Sequence, residues 1–503
     1  MLKHLSDILP QLTINKNKEQ TFNTNHMNDI LKSIADNWKL EAKFEDTHKY
    51  FYNYQEVNDI LNKDKCYVIG RKGSGKSAIC EHIIKCNEYN RFATKLNFKN
   101  FPFNELYGLT NSGYTPPNQY ITLWKYLIYS TVCKLMVSNE NINSDIRTEL
   151  EKLYPNNTKS LARTIQTWTS AEFGASILGN GGTIKIERDC SLNTTPWIER
   201  VNVLEDIIFE YCDDSTYYIV FDELDEDYRS VNDTDSSQPY IYLLTSLFKA
   251  VQDVKSTFID SGKQIKPIIF LRDDIYMLIK DSDKNKWRDM KIELEWTEDK
   301  LKDLLAYRIS KDIPQANQIL PFKESWYKIF NSKPVNFGNK QGKKIDSFDF
   351  IARSTQLRPR DFIQYIQCCA EEALRKQKND IQEATIKFVD RAFSNYLKDE
   401  IIDEVFPLLP EIEKIMQIIS NIRKWNFSCS EFEHEYKKYL RSNTIHEKNI
   451  DLVLDILYNF SVIGNQHKLK KDTFFFKYQH TNMTFNKEEN IVIHRGLFKA
   501  FQL

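Results

Sequence analysis

Eight consecutive residues, Gly70-Arg71-Lys72-Gly73-Ser74-Gly75-Lys76-Ser77, satisfy the pattern G-x-x-x-x-G-K-S/T at every fixed position. The chemistry such a run can do is to hold a polyphosphate. Three glycines let successive backbone N–H groups turn inward on the phosphates, and a helix entered at Ala78 would point its positive end at the same charge. The Lys76 ammonium would meet β- and γ-phosphate oxygens, and the Ser77 hydroxyl would bind Mg²⁺. The setting agrees: Cys66-Tyr67-Val68-Ile69 reads as a short buried strand, and Ala78 to Ile84 has helical apolar spacing.

A second group of residues supplies acids. The aromatic and β-branched run Ser215 to Phe221 reads as a buried strand and opens directly into Asp222-Glu223-Leu224-Asp225-Glu226. Carboxylates at such a strand end can hold the Mg²⁺ shell and orient or deprotonate an attacking water. Asp222 is assigned to the metal and Glu223 to the water. A third buried run, Pro267 to Leu271, ends in Arg272-Asp273-Asp274, and Gln356-Leu357-Arg358-Pro359-Arg360-Asp361 places Pro359 at a helix start with Asp361 suited to its dipole. Arg272 stands where P-loop ATPases of the AAA+ type place a γ-phosphate sensor, which makes it the candidate by that resemblance, and Arg360, favoured over Arg358, could reach from a lid onto the phosphates. The plain alternatives are an Arg272 paired with neighbouring acids and a surface arginine near a helix start.

The elements that must position these groups are spread over 503 residues, enough for about three to four units of ordinary size. Residues 1–50 read as a polar helical lead-in with Met27, Ile30, Leu31, Ile34 and Trp38 at helical spacing. Residues 51–320 are expected to hold a P-loop core, with a helical insertion around 100–200 between Ser77 and the acidic strand. Its features include a strand at Lys95 to Phe98 and an apolar helix from Tyr120 to Met136. Gly174, Gly179, Gly181 and Gly182, before Thr183 to Ile186, suggest a loop or hairpin. Residues 321–400 read as a helical lid with a breaker-rich loop at 331–346. Residues 401–503 read as three helices followed by a β wing, in which Lys468 to Tyr478 interleaves lysines with aromatics. Such a segment suits protein docking or packing, or contact with nucleic acid.

Charge is balanced, with 69 basic and 70 acidic residues, so no global field favours nucleic acid or an anionic membrane. The nine cysteines form no C-x-x-C, which fits reduced thiols in a cytoplasmic protein rather than a zinc or disulfide framework. No apolar run approaches the roughly 18 to 20 residues that cross a bilayer, and the first residues lack a signal-peptide core.

The set Gly70–Ser77, Phe221-Asp222-Glu223-Leu224-Asp225, Phe270-Leu271-Arg272-Asp273-Asp274-Ile275 and Leu357-Arg358-Pro359-Arg360-Asp361 resembles the bacterial FunZ-type P-loop ATPases. These lie in the part of the AAA+ superclass shared by Orc/Cdc6-like proteins and STAND signalling ATPases. The resemblance covers about residues 50–400. It implies ATP as ligand, an α/β fold with a parallel sheet, a helical lid and a C-terminal winged helix. STAND proteins use the later acidic pair, which makes Asp225 the alternative to Glu223 as the residue acting on water.

Three functions follow for weighing: an ATP-driven switch or motor, a nucleic-acid-loading ATPase of the Orc/Cdc6 kind, and a P-loop kinase. The Asp222-Glu223 pair favours water as acceptor. Asn285-Lys286-Trp287-Arg288 misses the guanine-reading N-K-x-D at its last position, and no L-S-G-G-Q run exists. The leading expectation is an ATPase switch acting as a homo-oligomer on a protein effector, with a role in antiviral defence implied by the STAND resemblance.

Overall fold

The computed structural model describes residues 28–503, apart from 87, 100, 111–112, 156–159, 178–196, 228–233, 315–317 and 337–341. The glycines Gly179, Gly181 and Gly182, the expected hairpin after them, Met27 and Gly338 lie outside the described residues. The chain forms two compact units, Asn53–Glu295 and a second made of residues up to Tyr52 together with Trp296–Leu503.

The first unit is built on five parallel strands: β1 (Tyr67–Ile69), β2 (Arg91–Asn97), β3 (Thr216–Asp222), β4 (Gln264–Leu271) and β5 (Lys291–Glu293), in the spatial order β2-β3-β4-β1-β5. β3 is apolar, aromatic and buried along nearly its whole length, as a strand covered on both faces must be. Because every strand runs the same way, the phosphate loop after β1, the acids after β3 and Arg272 after β4 all emerge at one edge of the sheet. β4 stands between β1 and β3, so Arg272 leaves the sheet between the phosphate loop and the acids.

Helices flank this sheet. Ile121–Val137 is buried on nearly every face and packs on Trp197–Tyr211 and Thr234–Phe258. Its Trp124 donates from Nε1 to the Leu243 carbonyl at 2.8 Å and meets Phe98 and Phe221 edge-on, with ring centroids at 5.9 and 5.7 Å. Edge-on aromatic pairs add about 0.5–1.5 kcal/mol each to area burial, which fixes the acid-bearing end of β3. The expected loop at 170–188 begins instead as a helix, Ala171–Ile177, which contains Gly174. The Arg200 guanidinium lies where a Gly174 side chain would project, within 2.4 Å of an added Cβ, so this glycine serves close approach rather than a turn.

In the second unit, the helix over residues 28–37 buries Ile30, Leu31 and Ile34, followed by the buried Trp38, in the same apolar cluster as Leu301, Leu305 and Ile309 of the Glu298–Asp312 helix. The unit boundary thus falls at Glu295/Trp296 rather than near residue 320, because the apolar face of Glu298–Asp312 is buried in this cluster. Asp312 fastens the segment: its carboxylate accepts from Trp38 Nε1 at 2.8 Å, Tyr50 OH at 2.6 Å, Ser33 Oγ at 2.7 Å and Lys49 Nζ at 2.7 Å. The expected loop at 331–346 contains a short antiparallel pair, β6 (Val335–Asn336) and β7 (Lys344–Ile345). Residues 412–503 form helices Ile412–Ile422, Cys429–Arg441 and Ile450–Asn459. With them is an antiparallel sheet of β8 (Asn426–Phe427), β9 (Ile463–Gln466), β10 (Phe474–Phe475) and β11 (Asn490–Ile493), in the order β10-β9-β11-β8. Ser428 and Glu431 close a reciprocal capping box at the start of Cys429–Arg441. No helix among the described residues is long and apolar enough to cross a membrane.

Candidate nucleotide site

The phosphate loop has the backbone its glycines were expected to permit. Gly73 and Gly75 adopt φ +79° and +98°, and Gly75 caps the ten-residue helix Lys76–Lys85. Gly70 has a different requirement: a Cβ there would stand 2.6 Å from Ser74 Oγ and 3.0 Å from Leu294 Cβ. Ser74 is buried, Arg71, Lys72, Gly73, Gly75, Lys76 and Ala78 are half-buried, and Ser77 is exposed at the helix start. Lys76 Nζ donates to the Gly70 carbonyl at 2.6 Å and to the Arg71 carbonyl at 2.9 Å, so its ammonium is curled back over the loop. Burial lowers its pKa, and Asp225, Asp273 and Asp222 oppose the shift in that order. Phosphate oxygens would oppose it in the same sense.

Asp222 ends β3 at 3 % exposure, and its Oδ2 is buried with no hydrogen-bond partner among the described residues. Burial pushes its carboxyl upward, against the pull of Lys95. Glu223 sits at φ +58°, a left-handed conformation that costs a non-glycine residue roughly 1–2 kcal/mol, and its Oε2 is likewise buried without a partner. Burial and then the neighbouring Asp222 charge raise the Glu223 carboxyl, while Lys99, Lys95 and the nearby Asn97 amide pull it back. Two orphaned carboxylate oxygens beside a phosphate cradle fit a divalent cation and a water. Mg²⁺ binds through one or two carboxylates plus phosphate oxygens, so the donor set of Asp222 and Ser77 suits it.

Three residues join this site that the motifs alone did not single out. Asn97 pairs in register with Asp222 across β2 and β3, which brings its side chain to Glu223. Lys95, two residues earlier on the same strand face, bonds Glu81 of the Lys76–Lys85 helix at 2.6 Å. Asp273 follows Arg272 and is raised by burial and by Asp274, while Arg71 and Lys76 pull it down. The sequence signal available was that all three lie at or near strand ends on the motif-bearing sheet.

Arg272 is engaged with acids. Its Nε and Nη2 donate to Asp274 Oδ1 and Oδ2 at 3.0 and 2.6 Å, and Nη1 lies 3.5 Å from Asp225 Oδ2. Asp225 stands on the turn Leu224–Asp227, whose Leu224 carbonyl accepts from Tyr240 OH at 2.7 Å. In the second unit, Pro359 is the first residue of the helix Pro359–Arg375 as expected. Arg358 is buried and paired with Asp361 and with Glu404 Oε1, the latter at 2.7 Å, whereas Arg360 is partly exposed with Glu400 at 3.4 Å. Asp361 is itself fully buried and also accepts from the Gln356 N–H at 2.9 Å, so it serves Arg358 and the turn as well as the helix start.

Residues 299–402 match the family model described as the FunZ-associated C-terminal helical domain. No curated protein matches the sequence. Among solved structures, the chain is similar to Cdc6p from Pyrobaculum aerophilum (11% identity, covering 88% of this chain and 90% of that one, TM-score 0.29). It is also similar to the Orc1 protein of Aeropyrum pernix in complex with DNA (10%, 89% and 89%, TM-score 0.34). A third likeness is to the Aeropyrum pernix Orc2 protein in ADPNP–ADP complexes (11%, 90% and 89%, TM-score 0.39). TM-scores this low leave the assignment of the site to its own residues. A P-loop α/β unit and a helical segment similar to the FunZ-associated C-terminal helical domain thus share one polypeptide.

Proposed function

We propose that the chain is a Mg²⁺-dependent ATP-binding and hydrolysing switch that regulates a protein effector, with antiviral defence as its setting and a homo-oligomer as its working form. The observation that carries the enzymatic part is the pair of buried, unpartnered oxygens on Asp222 and Glu223, next to a phosphate loop whose lysine is folded onto its own carbonyls. Ser77 and Asp222 would hold Mg²⁺, which when bound would supply neutralisation of charge on the phosphates. The loop N–H groups and Lys76 hold and orient the phosphates. Glu223, with Asn97 beside it through the β2–β3 register, accepts the proton of the attacking water; its raised carboxyl pKa makes it a better base than an ordinary glutamate. Arg360 is proposed to report the nucleotide state to the helical domain.

The test is ATP hydrolysis by wild type and Glu223→Gln, with nucleotide affinity measured on both. Slow turnover with ATP still bound in the variant supports the reading. A wild type that binds no ATP would remove it.

A second reading, contact with nucleic acid, draws support from the C-terminal sheet. Trp425 and Phe474 are both partly exposed and meet edge-on at 6.1 Å, among the exposed Lys424, Lys468, Lys470 and Lys471. Read as a winged helix, this would be its wing. Binding of labelled single- and double-stranded DNA by wild type and Trp425→Ala decides it.

A further inference from the structure

Asp225 and Asp274 both meet Arg272, a cation expected to meet phosphate. Arg272 Nη1 lies 3.5 Å from Asp225 Oδ2, while Asp274 grips the same guanidinium in bidentate fashion at 3.0 and 2.6 Å. Asp225 is also the strongest of the charges that oppose the effect of burial on Lys76. Its geometry separates it from Glu223, whose Oε2 is buried and has no hydrogen-bond partner among the described residues. Asp225 is 36 % exposed at its side chain, on the turn Leu224–Asp227 that follows β3.

We propose that Asp225 is a positioning residue that holds Arg272 in the nucleotide-free protein, and that a bound γ-phosphate displaces its carboxylate and takes over the guanidinium. This rests on the nucleotide-site reading above. The exchange makes Arg272 a discriminator between tri- and diphosphate. ADP lacks the γ-phosphate that competes with Asp225, so the Asp225–Arg272 contact stays closed, whereas ATP opens it. Asp274 keeps the guanidinium at the end of β4 during the exchange, so only its Nη1 side changes partner. The turn Leu224–Asp227 then becomes the first segment to register the nucleotide state, since a ligand shifts a conformational balance only through contacts that differ between the two states.

The test is calorimetric binding of MgATP and MgADP to the full chain, as wild type, Asp225→Asn, Arg272→Ala and the double variant. Asparagine keeps the shape of aspartate and removes the competing charge. The expected result for Asp225→Asn is MgATP bound roughly two- to fivefold more tightly, the range for a partly exposed ion pair, with MgADP unchanged. On the Arg272→Ala background the same substitution should give no gain for ATP over ADP. Equal changes for both nucleotides, weaker MgATP binding, or a gain that persists without Arg272 would each overturn the proposal. Turnover slowed by about 10² or more with ATP affinity unchanged would make Asp225 the base instead and also overturn it. Should Asp225→Asn fail to fold, Asp274→Asn loosens the same guanidinium and must change ATP affinity and not ADP affinity, or the proposal falls. A wild type that binds neither nucleotide refutes the underlying site, an outcome distinct from all of these.

Discussion

Asp222→Asn isolates the tension at the centre of the site. In the ligand-free protein the Asp222 carboxylate is 3 % exposed, carries an oxygen without a hydrogen-bond partner, and has its pKa raised by burial. An unsatisfied buried polar group costs about 1–3 kcal/mol, more when charged. Replacing the carboxylate with an amide of the same shape removes the charge but leaves an amide to satisfy, so the net gain is expected near 1 kcal/mol. For a unit the size of Asn53–Glu295 this raises the midpoint of unfolding by about 2–4 °C. The same substitution removes the metal ligand, so the Mg²⁺ dependence of ATP binding should disappear. Two thermal melts, with and without MgATP, measure both effects on the transition that nucleotide shifts. A ligand-free variant less stable than wild type by 2 kcal/mol or more would mean that the carboxylate is a structural partner, and the reasoning from its orphaned oxygen would be refuted.

Lys76→Ala should weaken MgATP binding roughly ten- to hundredfold by calorimetry, the loss of a charge-assisted bond of about 1.5–3 kcal/mol, with the far-ultraviolet circular dichroism unchanged. Glu223→Gln should keep ATP bound and slow turnover by about 10² to 10⁴ in a steady-state assay; unchanged turnover would remove Glu223 as base. Asp222, Glu223 and Asp273 all have folded-state carboxyls raised above their ordinary values, so the ligand-free fold binds extra protons. Its stability should therefore fall as pH rises from the ordinary carboxylate range through the raised values, while MgATP stabilisation grows over the same window; a thermal-shift series across pH checks both signs. Arg358→Ala leaves Asp361 and Glu404 buried without their cation and should cost about 3–5 kcal/mol, whereas Arg360→Ala should cost less than about 1 kcal/mol, measured by chemical denaturation.

What the sequence revealed was local. The phosphate loop is a contiguous pattern, and β3 with its acids is a run of apolar residues that stops abruptly at Asp222, so both could be read without a partner. Arg358 and Arg360 show the limit. They are two residues apart at the same helix start, and what separates them is Glu404, 46 residues further on, which no local window contains. Asn97 was legible as part of a strand but not as a neighbour of Glu223, because a pairing register between β2 and β3 depends on over a hundred intervening residues. The Glu298–Asp312 helix shows its apolar face in the sequence, yet periodicity does not say which core that face enters.

The clasp on Asp312 bears on how the chain is made. Trp38 and Asp312 are 274 residues apart, and the Asn53–Glu295 unit lies between them in the order of synthesis. At about 5–20 residues per second, Trp38 is polymerised roughly 14 to 55 s before its acceptor. Over that interval Ile30, Leu31, Ile34 and Trp38 have no completed core to enter, while the contiguous sheet unit can already close. A nascent chain is thus most exposed to chaperones and proteases at its first described helix. Damage or a bulky tag there would be felt in the maturation of the last two hundred residues, not in the nucleotide unit that follows it in the sequence.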